Sequence, residues 1–438
     1  MVLDGAGSNA VSLLTVLEAQ TTAIGDGPRV LMLGAAGGVA GATLALLGQH
    51  RLGRALLPPG SELLLLDRAL PAADGPQHAT PAGARWLAPR TIVSGEQLAG
   101  LIREHQVDEV IDLAEVGTYD CVEACAREGA SFLNTAFDVW PHQHPPGSAQ
   151  KVTMIRAQAL FEPPDVDAGV HLLCMGMNPG LINLLVDAGL RALAARSGRA
   201  PSVEALELHA ILFTEIDGTT SASPLPPASE RFASTWSPSA CLEELLEPSA
   251  MITVDGEPRR LDHRPHEARY RARCGPELID GFLVPHEELV TLGAMYPRIE
   301  LAYLYRLPAS AMASLQDRPE RSAQDWETER LYPPHHSDLG GTNRVGALLC
   351  SRSLGELWIG WETPVAQALA LGTNATLLQV ATGVIAGWTM ARELEPGVWL
   401  PEDLDGERIL ALAGEILGTP QVHWDPEAPA LGLAERRC

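Results

Sequence analysis

Between residues 34 and 41 the chain reads Gly34-Ala-Ala-Gly37-Gly38-Val-Ala40-Gly41, a density of glycine that lets the backbone come close to an anion. The short apolar run Arg29-Val-Leu-Met-Leu33 precedes it, and from Val39 to Gln49 the apolar residues recur at helical spacing. Strand, glycine turn and helix in that order aim the N–H groups of a helix N-terminus at a pyrophosphate, as dinucleotide-binding folds do. The strict GxGxxG spacing is absent because Ala36 holds the middle position; the variant here is GxxGxxA, through Gly34, Gly37 and Ala40. Gly34, Gly37, Gly38 and Ala40 are therefore candidate cofactor-binding residues, against the alternative of a tight turn without a nucleotide. A second apolar run, Glu62 to Leu66, ends in Asp67, whose carboxylate would accept hydrogen bonds from ribose hydroxyls and repel a 2′-phosphate. That favours NAD; the adjacent Arg68 could accept the extra phosphate and keeps NADP open.

Other chemistries are disfavoured by what the chain lacks. Lys151 is its only lysine, so Schiff-base or lysine-acid mechanisms rest on one residue. Seven scattered cysteines form no CxxC pair and read as reduced thiols in a cytoplasm. His142, His144 and the His335-His336 pair sit in Pro-rich loops without spaced carboxylate or cysteine partners, so no metal site is expected. A net charge of −24, from 31 basic and 55 acidic residues, repels nucleic acid and anionic lipid. The same acidity could attract polycations, or serve solubility alone. The first 28 residues lack a basic start and apolar core and read as a weakly ordered extension instead of a signal peptide. Thr363 to Ala391 carries no charge and is long enough to span a bilayer, but Pro364, Asn374 and Gln379 interrupt it, so it reads as a buried helix pair.

Strands and helices must hold these residues in place. After the β-α-β opening come a helix near Gly95 to His105, a strand at Glu109 to Leu113, a helix at Tyr119 to Arg127, and strands at Ser131 to Thr135 and His171 to Gly176. This alternation implies a Rossmann-type, doubly wound parallel sheet over residues 29–180. A helix follows Asn178-Pro179-Gly180, with Asn178 as its cap and Pro179 in its first turn. The pattern then changes to long strands at Ala205 to Asp217, Ile299 to Tyr305 and a pair in Arg344 to Trp361, with a hairpin at Met251 to Arg260 and a helical turn at Cys241 to Leu246. Residues 181–362 thus read as an α+β domain of mixed sheet, and 363–438, ending in a capped helix at Pro401 to Leu417, as C-terminal helices returning to the Rossmann domain.

Several segments carry a resemblance. Asn374-Ala-Thr-Leu-Leu-Gln-Val-Ala381 with Val384-Ile-Ala-Gly387, Met177-Asn-Pro-Gly180, Ser234-Thr-Trp-Ser237 and Gly281-Phe-Leu-Val-Pro-His286 agree in order and spacing with bacterial homospermidine synthases, within the saccharopine-dehydrogenase-like group. The chain resembles a divergent member of that family from about Arg29 to Asp425. The resemblance implies an enzyme using bound NAD to oxidise an amine to an imine, exchange the amine with loss of ammonia, and reduce the new imine. It also implies exclusion of water, since imines hydrolyse, and a homodimer through the second domain.

The resemblance also implies site residues. Asp138 falls where the family has an ammonium-binding glutamate, and Asn178 matches the asparagine beside the nicotinamide. Glu215 and Asp217, two apart on a strand, point to one face, where paired carboxylates could hold a cationic amine; the alternative is solvated strand-end charge. Trp236 corresponds to the tryptophan whose ring face stabilises a cationic imine, with core packing as its plain alternative. Glu244, or Glu243 one register away, matches a second amine-binding glutamate, and His286 a histidine of near-neutral pKa suited to proton transfer.

The pattern also breaks. Asn343 and Arg344 stand where the family carries acids that hold the diamine, Arg306 replaces a histidine, and His286 is followed by Glu287-Glu288 in place of asparagine and glutamate. Guanidinium groups favour carboxylate over ammonium, so Arg344 suggests a carboxylate-bearing amine such as a diamino acid as substrate. Two other readings stand beside the first: a net oxidoreductase that makes or cleaves a secondary amine, and a dinucleotide sensor without catalysis.

Overall fold

The computed structural model describes residues 27–71, 80–140, 143, 162–223, 231–317, 325–333 and 335–438. His142, His144, Lys151 and nearly all of the N-terminal extension lie outside them. The described residues form two compact units, one within residues 27–143, 162–181 and 378–419, the other within 182–377 and 420–438.

The first unit is built on a seven-stranded sheet. Its strands are β1 (Arg29–Leu33), β2 (Glu62–Leu66), β3 (Ala84–Trp86), β4 (Glu109–Asp112), β5 (Ser131–Asn134) and β6 (Val170–Leu172), with Gly397–Trp399 as the seventh. The order across the sheet is Gly397–Trp399, β6, β5, β4, β1, β2, β3, and every pairing is parallel. A parallel sheet needs a crossover between neighbours, and the helices Gly38–Gln49, Gly95–His105 and Thr118–Glu128 supply them. Its strands are buried on both faces, which is why β1 and β2 read as unbroken apolar runs. The strand order reverses between β1 and β4, with the glycine turn after β1 at that switch point.

The second unit carries a mixed sheet of ten strands. These include β7 (Leu208–Ile216), β8 (Thr219–Ser221), β10 (Met251–Val254), β11 (Glu257–Arg260), β12 (Tyr270–Cys274), β13 (Glu277–Val284), β14 (Glu300–Arg306), β16 (Leu339–Ser351) and β17 (Gly355–Pro364); β9 (Arg231–Ser234) and β15 (Glu327–Arg330) make a separate parallel pair. The centre is β7, parallel to β14 and antiparallel to β16. Alternation along it decides what each face holds. Ala210, Leu212 and Ile216 pack with Ala272, Cys274, Ala302, Leu304 and Leu348 in one apolar core. Phe213 and Glu215 point the other way, with Tyr303 and Tyr305 beside them on β14 and Asn343 and Val345 on β16. The helix Leu181–Ser197 lies on this second face, close enough that a Cβ on Gly189 would sit 2.7 Å from Leu349.

Three sequence expectations are corrected. The helix after Asn178-Pro179 begins only at Leu181, so Asn178 is not its cap; it precedes a cis peptide to Pro179 in a turn closed by Gly180, whose φ is +133°. The C-terminal residues do not all return to the first unit: Gln421–Asp425 adds an antiparallel strand to β17, because its alternating side chains suit a sheet edge. The expected Pro401 to Leu417 helix is a short 3-10 turn at Pro401–Asp403 followed by a helix from Gly406, capped by Asp405. The uncharged stretch after Thr363 folds as two helices, Val365–Leu369 and Ala375–Ala391, and no helix among the described residues is long and apolar enough to cross a membrane.

Candidate active site

In the first unit the glycine turn is fixed by backbone constraints. Gly34 adopts a φ of +69°, and a Cβ there would lie 2.5 Å from the Leu113 carbonyl oxygen, so only glycine fits. Gly37 N–H donates to the Gly34 carbonyl (2.9 Å), and Gly41 N–H to that of Gly37 (3.0 Å). Gly38, Ala40 and Gly41 are buried at the helix start, where larger side chains would push the helix off the sheet. Gly37 occupies the cap position without a side-chain hydrogen bond, and the first turn holds no acid, so its N–H groups and positive dipole end suit an incoming phosphate. Asp67 locks onto this turn: one carboxylate oxygen accepts from Ala36 N–H (3.0 Å), the other from Arg68 N–H (2.7 Å). Gly34, Gly37, Gly38, Ala40 and Asp67 thus come together as one cradle.

Asp138 lies half-buried in the same unit, after β5. Thr118 holds its backbone at both ends, the hydroxyl accepting from Asp138 N–H and the Thr118 N–H donating to the Asp138 carbonyl, both at 2.9 Å. Asn178 is half-buried in the turn after β6.

In the second unit Glu215, Glu244 and His286 converge with two residues the sequence reading had not singled out for chemistry, Tyr303 and Glu288. The Tyr303 hydroxyl donates to Glu215 at 2.6 Å. The His286 ring stacks on Tyr303 with centroids 4.1 Å apart and planes 13° from parallel. Its Nε2 stands 3.4 Å from Glu244, and its Nδ1 3.4 Å from Glu288. Glu288 is fully buried and its carboxylate oxygens have no hydrogen-bond partner among the described residues. Local structure sets each position. Glu244 rides on the helix Pro238–Leu245, capped by Ser237; Tyr303 faces Val284 across the β13–β14 ladder, and His286 follows two residues on.

Burial pushes the Glu215 carboxyl up from 4.5 to about 7, with Asp217 and Glu244 adding to the rise and Tyr303 and His286 opposing it. Burial alone would lower His286, but Glu288 and Glu244 reverse this and hold its pKa well above 6.5. The two carboxylates thus favour the protonated His286 ring, while the Glu215 carboxyl is the group raised to about 7. Three carboxylates set about one imidazole suit a cation carrying N–H donors. His286, Glu287 and Glu288 could each offer a ligand atom to a metal, these atoms lying within 4.8 Å of one another.

Asp217 and Asn343 share the face of Glu215 yet are engaged internally. Asp217 accepts from Thr219 N–H (3.0 Å) and from the Thr235 hydroxyl. Asn343 accepts from the Thr219 hydroxyl (3.2 Å) and donates to Thr376 (2.9 Å), which also bonds Thr235. The Asn374 side-chain amide donates hydrogen bonds to the Leu331 (2.8 Å) and Thr235 carbonyls, and its oxygen caps its own helix by accepting from Leu377 N–H. Together they anchor Thr235, and hence the half-buried Trp236 beside it.

Arg344 is the clear correction. It is one residue on from Asn343 and so points to the opposite face of β16, pairing with Glu277 (2.9 Å) and Glu362 (3.3 Å). Two carboxylates already satisfy it, away from Glu215.

No family model matches the sequence, and no curated protein matches it. Among solved structures, the chain is similar to the homospermidine synthase of Legionella pneumophila in complex with NAD, at a TM-score of 0.75 and 19% identity over 91% of this chain and 92% of that one. It is also similar to saccharopine dehydrogenase (L-Glu forming) from Saccharomyces cerevisiae, at a TM-score of 0.56 and 12% identity over 91% and 99%. At these identities the likeness is one of fold.

Proposed function

We propose that the chain is an enzyme that binds NAD through the Gly34–Gly41 turn and Asp67 and acts on a primary amine held by Glu215, Glu244 and Glu288. The observation that carries this reading is the convergence of three glutamates on His286, Glu215 and Glu288 buried and Glu244 half-buried, with the Glu215 carboxyl raised to about 7. Such a net negative, dehydrated site is costly to maintain without a cationic occupant. The similarity in fold to a NAD-bound homospermidine synthase supports the choice of cofactor.

NAD, when bound, supplies a hydride acceptor for the amine carbon and a donor for the later imine. The chain's own groups do the rest. The amine enters as an ammonium and must lose a proton before its carbon can give up hydride; Glu215, titrating near neutrality, is suited to take it. The resulting iminium is a cation, stabilised by Glu244 and Glu288, and the face of Trp236 is suited to add cation–π attraction of about 2 kcal/mol. A second amine then adds to the iminium carbon and ammonia leaves, with proton transfers through Glu215, before hydride returns to the new imine. His286, set between Glu244 and Glu288, orients both carboxylates, and they in turn favour its protonated form.

The test is to incubate the protein with NAD+ and a panel of diamines and diamino acids, following ammonia, NADH and product mass. Ammonia without net NADH is the expected result. Stoichiometric NADH would assign a net oxidoreductase in place of amine exchange, and neither would remove the catalytic reading.

A further inference from the structure

We infer that the amine substrate also carries a carboxylate, and that Arg330 is its receptor; this rests on the function proposed above and names its substrate class. Arg330 ends β15, whose partner β9 leads directly into Thr235 and Trp236. Its Nε donates to the Trp236 carbonyl at 2.9 Å, so the guanidinium lies against the segment that carries the indole. That bond uses one of five donors and neutralises nothing. Among the described residues neither terminal nitrogen has an acceptor, and no carboxylate pairs with the side chain. The acids of its own strand are committed elsewhere: Glu327 and Glu329 to Arg231, and Glu329 also to His336.

The contrast with the chain's other partly buried arginines is what points to a ligand. Arg344, Arg392 and Arg436 each have a glutamate within 3.3 Å, in a protein with 55 acids to draw on. Arg330 alone of these four has none. Burial consequently pulls its pKa down, with only Tyr332 opposing. A partly buried guanidinium left without a counterion is less favourable than one paired with an anion, and its planar fork matches a carboxylate in two parallel hydrogen bonds. A dianionic phosphate would meet more repulsion than a carboxylate from Glu215, Glu244 and Glu288. A molecule with an ammonium at one end and a carboxylate at the other satisfies both sets of groups. The carboxylate expected at Arg344 is thereby reassigned to an arginine on a different strand.

The experiment compares 2,5-diaminopentanoate with 1,4-diaminobutane on the full chain with NAD+, measuring binding by calorimetry and turnover by ammonia release. The expected result is a ten- to hundredfold preference of the wild type for the diamino acid, expressed in KM. Arg330→Gln should cut the ratio of kcat/KM between the two by a similar factor, while Arg330→Lys, which folds with the same charge but lacks the fork, should fall between. Equal losses on both substrates, or a wild-type preference for the diamine, would overturn the inference. Inorganic phosphate displacing the diamino acid as well as acetate does would overturn the carboxylate assignment in favour of a general anion site. If no amine turns over, the functional reading fails, yet calorimetry of the diamino acid against Arg330→Gln still decides whether the guanidinium binds a carboxylate.

Discussion

Tyr303→Phe isolates the group on which the proposed chemistry turns. The substitution removes one hydroxyl from a fully buried ring and keeps its stack on His286, so the deleted interaction is the 2.6 Å bond to Glu215. A hydrogen bond to a charged acceptor contributes roughly 1.5–3 kcal/mol, and 1.36 kcal/mol corresponds to one pH unit, so the Glu215 titration should rise by roughly one to two pH units. The carboxyl stretch of protonated Glu215, assigned by its loss in Glu215→Gln, reports this directly in infrared difference titrations. The acid limb of ammonia release, set near pH 7 in the wild type, should move with it. Stability supplies an independent check of sign. Glu215 holds its proton more tightly folded than unfolded, so its contribution is full below about pH 4.5 and is lost as pH rises through about 7. That loss is roughly 3 kcal/mol in the wild type and should vanish in Glu215→Gln, measured by denaturant titration across the same range. A Tyr303→Phe carboxyl band that titrates within half a pH unit of the wild type would refute the assignment of Glu215 as the near-neutral group.

Three further outcomes follow from the geometry. Asp67→Ala removes the acceptor for Ala36 N–H along with the ribose partner, and NAD affinity measured by fluorescence titration should drop at least tenfold, by about 1.4 kcal/mol or more. Gly383→Ala would place a Cβ 2.0 Å from the Gly176 carbonyl oxygen, and the loss of about 2–4 kcal/mol should appear as a lower Tm in calorimetry. Arg344→Ala, on the face away from Glu215 and paired with two acids, should leave kcat/KM for any amine within about twofold and cost about 1 kcal/mol or less in chemical denaturation.

Much of this was legible in the sequence where a local rule applied. The Gly34 turn announced itself because only glycine tolerates its φ, and Asp67 because it ends the next strand in register. Glu215 and Asp217 were placed on one face by the period of a strand; the same rule, applied to Asn343 and Arg344, would have separated them. Glu287-Glu288 stands out beside His286 only as a break in the family pattern, because a histidine's charge depends on where neighbouring carboxylates point. Tyr303 and Arg330 gave no local sign: one looks like an apolar strand residue and the other like a strand-end charge until β14 and β15 find their partners. The strands β9, β12, β13 and β15 were missed for a related reason, being short or broken by charge and stabilised by pairing more than by their own pattern.

The parallel pairing of β7 with β14 also constrains how the protein comes into being. Ala210 meets Glu300 across that ladder, some 90 residues further along the chain, and no hairpin can bring parallel neighbours together. Loop closure of that length is entropically costly and slow to be repaid. During folding, Glu215 therefore remains a hydrated carboxylate with an ordinary affinity for protons until β14 docks beside β7 and buries it. Proton uptake at neutral pH is consequently a late event on the folding path, and a pH-indicator dye in stopped flow would time the closing of the second unit.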